Sequence, residues 1–219
     1  MRLAVGIAVS LFAAAVLAAC SGGGGDQACF ESGATAYPVY APGDTSVVFN
    51  WPKAYHPIRV YADTANELRT NVINGLQLWA NALHCDEISF AIVTDSTIAD
   101  IVVRNPIFFP PLPVTGAFFA DSVGACKGRT DVLVDSTNML LRPIRAYVVP
   151  NSIDSVAIAS CYHFVTAHEL GHAIGLFSHS PDPGDLMNST PRRAVLSIND
   201  RYTVQLLYHL DPYTRPSPR

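Results

Sequence analysis

The residues best suited to chemistry in this 219-residue chain lie at positions 168–187, which read HELGHAIGLFSHSPDPGDLM. His168 and His172 are four positions apart, so on a helix both imidazoles project from one face, one turn apart. Two ring nitrogens on that face can bind one zinc ion, at about 2.0–2.1 Å. Glu169 is rotated by about 100° around the helix axis, where it can contact a water molecule beside the metal as a general base.

A third metal ligand is expected downstream, because catalytic zinc usually has three protein ligands and one position open to water. Gly175 predicts the end of the helix, since it adopts the left-handed conformation that other residues resist. The chain can then return His179 to the metal. Met187 follows eight residues later, after a loop rich in proline and glycine, and is predicted to form a floor under the zinc site.

These residues resemble the metzincin metalloproteases, whose signature is H-E-x-x-H-x-x-G-x-x-H followed by a methionine turn. The signature places its third histidine at position 178, which is Ser178 here, and His179 follows one residue later. Because this part of the signature is a loop, one extra residue can bulge outward without rotating the ligand away. The positions that match in register are His168, Glu169, His172 and Gly175.

Within the metzincins, the chain is similar to the matrixin subgroup over about residues 55–210. The segments that carry this similarity are HSPDPGDLM, PIRVYAD, ADIVVRN and LSINDRYTVQLLY. The resemblance implies an α+β fold with a mixed, mostly parallel, five-stranded twisted sheet. It also implies an active-site helix at about 155–176 and a C-terminal helix after the methionine turn. An edge strand would bind the substrate as an added strand, and residues 116–120 are our candidate.

The activity implied by the resemblance is zinc-dependent endopeptidase activity on protein or peptide substrates. One catalytic zinc would be held by His168, His172 and His179, while Glu169 takes a proton from water and passes it to the leaving amine. Bound calcium is unsupported, because the candidate carboxylates lack a recognisable loop spacing. Those carboxylates are Asp121, Asp131, Asp135 and Asp154.

A second hypothesis is a catalytically inactive surface lipoprotein that uses the same fold as a binding or adhesion module. Glu169 favours the enzyme, because a binding module has no need of a carboxylate at that position.

The elements that position these residues follow from hydrophobic periodicity. Strands are predicted at 57–62, 88–93, 100–104, 116–120 and 131–135. A helix at 64–83 would begin with a capping box from Thr64 to Glu67. Its apolar residues would form one buried stripe at helical spacing, made of Leu68, Val72, Leu76, Trp79 and Leu83. A last helix would begin at Ser197. The predicted catalytic domain spans 28–212, and residues 213–219 are predicted to be a frayed tail.

The amino terminus has the pattern of an export signal, with Arg2 followed by an apolar stretch that ends in small residues. Residues 17–20 read LAAC and resemble the lipobox of bacterial lipoproteins. This resemblance implies a signal peptide at 1–19, acylation of Cys20, and a glycine-rich tether at 20–27 that anchors the protein to a membrane. The predicted location is the outer membrane or cell surface of a bacterium. For a Gram-negative host, Ser21 favours the outer membrane by resemblance to lipoprotein sorting. The alternative is an ordinary secretory signal.

Acylation of Cys20 would leave an even set of four cysteines in an exported protein, which predicts two disulfides. Three pairings are possible, and we favour Cys29–Cys85 with Cys126–Cys161. A four-cysteine zinc site is the rival, although the chain has no C-x₂-C pair.

Composition sets the remaining limits. The net charge is −4, and 49% of residues are hydrophobic against 15% charged. These values argue against a nucleic-acid-binding protein and against a disordered chain. We expect a single catalytic domain that acts as a monomer.

Overall fold

The computed structural model describes residues 29–40, 48–113, 117–123, 126–150 and 155–219. The predicted signal peptide, Cys20 and the tether lie outside these residues. The first five strands are β1 (Ile58–Ala62), β2 (Phe90–Val93), β3 (Ile101–Arg104), β4 (Ala117–Val123) and β5 (Cys126–Val134). The remaining elements are β6 (Met139–Pro150), β7 (Arg215–Pro216) and the helices α1 (Leu68–Ala80), α2 (Ser155–Ala173) and α3 (Ile198–His209).

The strands form one sheet in the order β2-β1-β3-β6-β5-β4, and β7 pairs with β6. The pairs among β1, β2, β3, β6 and β7 are parallel, whereas β5 runs antiparallel to β4 and β6. The predicted α+β class is confirmed. The sheet is mostly parallel, and the two helices expected in the second half of the chain are α2 and α3. In the described residues the sheet has seven strands, two more than the five expected.

The two additional strands are β6 and β7. Strand β6 lacks a period-two pattern because it contains Pro143, and because its residues from Ala146 to Val149 are all buried near the middle of the sheet. The predicted frayed tail at 213–219 is wrong, since Arg215 and Pro216 pair with Met139 and Leu140 of β6. A two-residue strand carries no pattern that a sequence can show.

Helix α1 buries the apolar stripe that its spacing predicts. Leu68, Val72, Leu76 and Trp79 are buried, and the Trp79 indole nitrogen donates to the carbonyl of Ala167 on α2 at 2.8 Å. The capping box predicted from Thr64 to Glu67 is wrong. Thr64 makes no capping hydrogen bond, and positions 66 and 67 adopt left-handed conformations that break the helical register before α1 begins.

Helix α3 begins where predicted. The Ser197 hydroxyl accepts from the backbone nitrogen of Asp200, and the Asp200 carboxylate accepts from the backbone nitrogen of Ser197. This reciprocal capping box satisfies donors at the helix start.

The two disulfides pair Cys29 with Cys85 and Cys126 with Cys161, as favoured from the sequence, with Cα–Cα distances of 5.9 and 5.8 Å. A four-cysteine zinc site is thereby excluded. The second disulfide joins the start of β5 to α2. None of the described helices is long and apolar enough to span a membrane.

A buried carboxylate directly before β3 forms ion pairs with three arginines. Asp100 is fully buried and pairs with Arg142 at 2.6 Å, Arg219 at 3.0 Å and Arg59 at 3.2 Å. Burial alone would raise the pKa of Asp100, but the hydrogen bonds from Arg59 and Arg219 outweigh it and hold that pKa below its ordinary value. The cluster ties β1, β6 and the C-terminal segment together.

We expect Asp100→Asn to lower the free energy of unfolding at neutral pH by about 3 kcal/mol, because it leaves the largely buried Arg142 guanidinium without its counter-charge. The Asp100 carboxylate stabilises the fold above its ordinary pKa of about 3.9, and this contribution disappears as the pH falls through the lowered pKa. The difference between wild type and variant should therefore shrink below about pH 4. Urea unfolding at several pH values measures this difference in unfolding free energy, with a substitution at an exposed position, Asp86→Asn, as control. A constant difference would contradict the assignment.

Candidate metal centre

Three histidine side chains converge beside α2. His168 and His172 lie on the helix and are fully buried, and His179 lies in the loop after it and is partly exposed. The Nε2 atom of His172 is 3.1 Å from Nε2 of His168 and 3.2 Å from Nε2 of His179. The structure therefore brings together all three residues that the sequence suggested as metal ligands.

The opposite ring nitrogens show which way the lone pairs point. Nδ1 of His168 lies 2.7 Å from the carbonyl oxygen of Leu186, and Nδ1 of His172 lies 2.6 Å from that of Leu176. A carbonyl can only accept, so each Nδ1 carries the proton and donates it. Each Nε2 of these two rings then presents a lone pair toward the centre of the cluster.

This donor set fits a zinc ion. Two lone-pair nitrogens 3.1 Å apart cannot hydrogen-bond to each other, whereas a cation between them would attract both. In a tetrahedral zinc site with bonds of about 2.0–2.1 Å, ligand nitrogens lie roughly 3.3–3.4 Å apart. The separations here are close to that value, and the backbone carbonyls behind the rings are the outer contacts typical of zinc-binding histidines.

The end of α2 explains how His179 reaches the cluster. Gly175 has a φ of +115°, and a Cβ at this position would collide with the carbonyl oxygen of Phe49. Only glycine satisfies both conditions. In the following loop the Ser178 hydroxyl donates to the carbonyl of Tyr40 at 2.7 Å. The extra residue relative to the metzincin signature thus turns Ser178 toward the N-terminal segment and His179 toward the other histidines.

The predicted methionine turn closes under the helix. The backbone nitrogen of Ser180 donates to the carbonyl of Met187 at 2.8 Å, and the side chain of Asn188 donates to the carbonyl of Ser180 at 3.0 Å. Met187 is fully buried. Its sulfur lies so close to Gly171 on α2 that a Cβ there would collide with it. Met187 therefore packs against α2 at Gly171, the residue before His172.

Asp200 is a site residue that sequence reasoning treated only as part of a helix cap. Its fully buried carboxylate accepts from the backbone nitrogens of Leu186 at 2.7 Å and Met187 at 3.3 Å, and from the Tyr37 hydroxyl at 2.9 Å. Burial, together with the nearby Asp200 charge, raises the pKa of Tyr37 well above its ordinary value, so the phenol remains a donor. Asp200 thus fixes the turn whose Leu186 carbonyl orients His168.

Glu169 follows His168 on α2, is fully buried and faces β5. Its Oε2 atom accepts a hydrogen bond from the Thr130 hydroxyl at 2.5 Å. Thr130 and the neighbouring Gly128 carried no signal in the sequence, because their importance depends on the pairing of a strand with a helix that begins 25 residues after Thr130.

The calcium candidates do not form a site in the described residues. Asp131 is buried against Arg129, with 2.9 Å between its Oδ1 and the arginine Nε. Asp135 accepts from the backbone and hydroxyl of Thr137 in the turn between β5 and β6. The side chain of Asp121 and all of Asp154 lie outside the described residues.

The architecture and the three-histidine cluster define a metzincin-type site. The matrixin family model matches residues 147–209, which hold the end of β6, α2, the methionine turn and α3. The chain is therefore matrixin-like, and the match supports a zinc metallopeptidase. No curated protein matches the chain at a significant level.

We expect His179→Ala to lower zinc affinity by more than about 100-fold, beyond the 10–100-fold typical of outer contacts, because it removes one of three converging nitrogens. Chelator competition and metal analysis of the purified protein measure this. His163→Ala is the matched control, since His163 lies exposed on the same helix. Unchanged zinc affinity would count against His179 as a ligand.

We expect Asp200→Asn to lower zinc affinity by about 10–100-fold, as other outer contacts do. Both carboxylate oxygens accept from N–H or O–H donors, so an amide NH₂ group would face donors at either position. The same chelator competition measures the effect, with the exposed Asp211→Asn as control. Wild-type affinity in the Asp200 variant would show that the turn holds its position without this carboxylate.

Proposed function

We propose that this protein is a zinc endopeptidase that hydrolyses peptide bonds of proteins outside the cytoplasm. His168, His172 and His179 would hold the zinc ion, and Glu169 would act as the general base. The observation that carries the proposal is the convergence of three imidazole nitrogens, two of them from His168 and His172 on the helix that also carries the buried Glu169.

When bound, zinc supplies Lewis-acid polarisation of the scissile carbonyl and makes a water molecule acidic enough to lose its proton near neutral pH. Glu169 accepts that proton on its carboxylate and later transfers it to the nitrogen of the leaving amine. The carbonyls of Leu186 and Leu176 hold the ring protons of His168 and His172 on Nδ1, which leaves Nε2 of each ring available to the zinc ion. His179 is the partly exposed ligand, so we place substrate access on its side.

The edge strand β4 is our candidate for substrate binding. Among the described residues it pairs only with β5, in antiparallel register from Ala117–Val132 to Val123–Cys126. Its outer backbone groups can therefore pair with an extended peptide, as in other cases of strand addition. The predicted segment 116–120 overlaps this strand.

Location outside the cytoplasm and anchoring through Cys20 remain proposals from the sequence. The two disulfides support the location outside the cytoplasm, because such bonds persist in oxidising compartments.

The test is cleavage of casein and a peptide library by the zinc-loaded full chain and its Glu169→Gln variant. We expect the variant to keep one zinc ion but to lose about 10²–10⁴-fold in kcat/KM, the usual contribution of a general acid–base group. Glu67→Gln, at an exposed position before α1, is the matched control and should remain active. If the wild-type protein binds one zinc ion but cleaves no substrate that the Glu169→Gln variant leaves intact, the protein is a binding module and not an endopeptidase.

A further inference from the structure

Strand β5 contacts the Glu169 carboxylate through two residues on the same face. Thr130 and Glu169 are both fully buried. The Thr130 hydroxyl lies 2.5 Å from Oε2 of Glu169 and 3.2 Å from its backbone oxygen. A hydroxyl has one proton, and the shorter contact to a charged oxygen is the stronger one. The hydroxyl therefore holds one carboxylate oxygen in place.

Gly128 lies two residues earlier on β5 and so faces the same side of the sheet. A Cβ at this position would collide with Oε1 of Glu169 and would lie 2.7 Å from its Cδ and 2.8 Å from Cγ1 of Val165. The carboxylate thus occupies the space that a side chain at position 128 would need. We call Gly128 and Thr130 the carboxylate cradle.

The cradle is held in register with α2 by a covalent bond. Cys126, two residues before Gly128, forms the disulfide with Cys161, eight residues before Glu169 on α2. The strand that supplies the hydroxyl and the helix that supplies the carboxylate are therefore linked close to their contact.

We propose that Thr130 is a positioning residue for the reaction, which fixes Glu169 in one orientation with the space that Gly128 provides. This inference rests on the proposed function. A glutamate side chain has several rotatable bonds, and fixing it restricts the carboxylate to the geometry in which it can accept a proton. Misplacement by about 1 Å can reduce the rate of a catalysed step by about 10²-fold. Both contacts of the Thr130 hydroxyl are to Glu169, so Thr130 would act through that residue.

The first test compares Thr130→Val, Thr130→Ser and Gly128→Ala in the zinc-loaded full chain. We expect Thr130→Val to lower kcat by about 10–100-fold with KM little changed and zinc stoichiometry intact. Thr130→Ser should restore most of kcat, because it keeps the hydroxyl. Gly128→Ala should lower kcat as well, since its Cβ displaces the carboxylate. Thr214→Val is the matched control, because Thr214 is also fully buried and its hydroxyl has no hydrogen-bond partner among the described residues.

The second test uses the metal-free protein and needs no activity. We expect Thr130→Val to lower the melting temperature by about 2–4 °C, the change that one hydrogen bond makes in a protein of this size. In a Glu169→Ala background, Thr130→Val should lower the melting temperature by no more than Thr214→Val does, since the carboxylate that accepts the Thr130 hydrogen bond is absent.

The outcomes separate the two proposals. The positioning role would be overturned by any one of three results, each of which leaves the proposed endopeptidase function in place. These are a wild-type kcat in Thr130→Val, a Thr130→Ser variant that does not restore kcat, and an equal fall in melting temperature in the wild-type and Glu169→Ala backgrounds. A wild-type protein without any cleavage activity would overturn the proposed function. The thermal comparison would then still decide whether Thr130 holds the Glu169 carboxylate.

Discussion

The candidate metal site depends on two hydrogen bonds on the far sides of its histidine rings. His168 donates to the carbonyl of Leu186, and His172 donates to the carbonyl of Leu176. Because a carbonyl accepts only, these bonds place each ring proton on Nδ1 and turn the Nε2 lone pairs toward each other. One carbonyl belongs to the loop after α2 and the other to the methionine turn. Both segments must be in place before the three nitrogens can converge.

The rest of the structure holds those segments and the helix between them. Gly175 ends α2 against the carbonyl of Phe49, and the buried Asp200 carboxylate accepts from the backbone of Leu186. On the other side, the disulfide from Cys126 to Cys161 joins α2 to the strand that contacts Glu169. The three histidines and Glu169 are therefore supported from two directions, one through α3 and one through β5. Outer contacts of this kind limit how far a ligand can move.

Local patterns predicted the elements that depend on local forces. The stripe of α1 and the cap at Ser197 are confirmed, because periodicity and capping act within a few residues. The α+β class, which the resemblance to the metzincins implied, is confirmed as well. Strand β6 was missed because burial on both faces removes the alternation that identifies a strand. The capping box at Thr64 failed although its residue types were right, since left-handed residues precede α1. A short sequence motif does not show which backbone conformation its own residues adopt when the rest of the chain constrains them.

The sequence by itself determined the chemistry that this protein can carry, because the spacing of His168, Glu169 and His172 on one helix is a local property. It also indicated the third histidine and the methionine turn, through a motif whose order along the chain resembles that of the matrixins. Only the tertiary structure decided that Asp200 supports the turn and that Thr130 contacts Glu169. Those contacts join residues 14 and 39 positions apart, and the packing of separate elements creates them, so no local pattern can specify them.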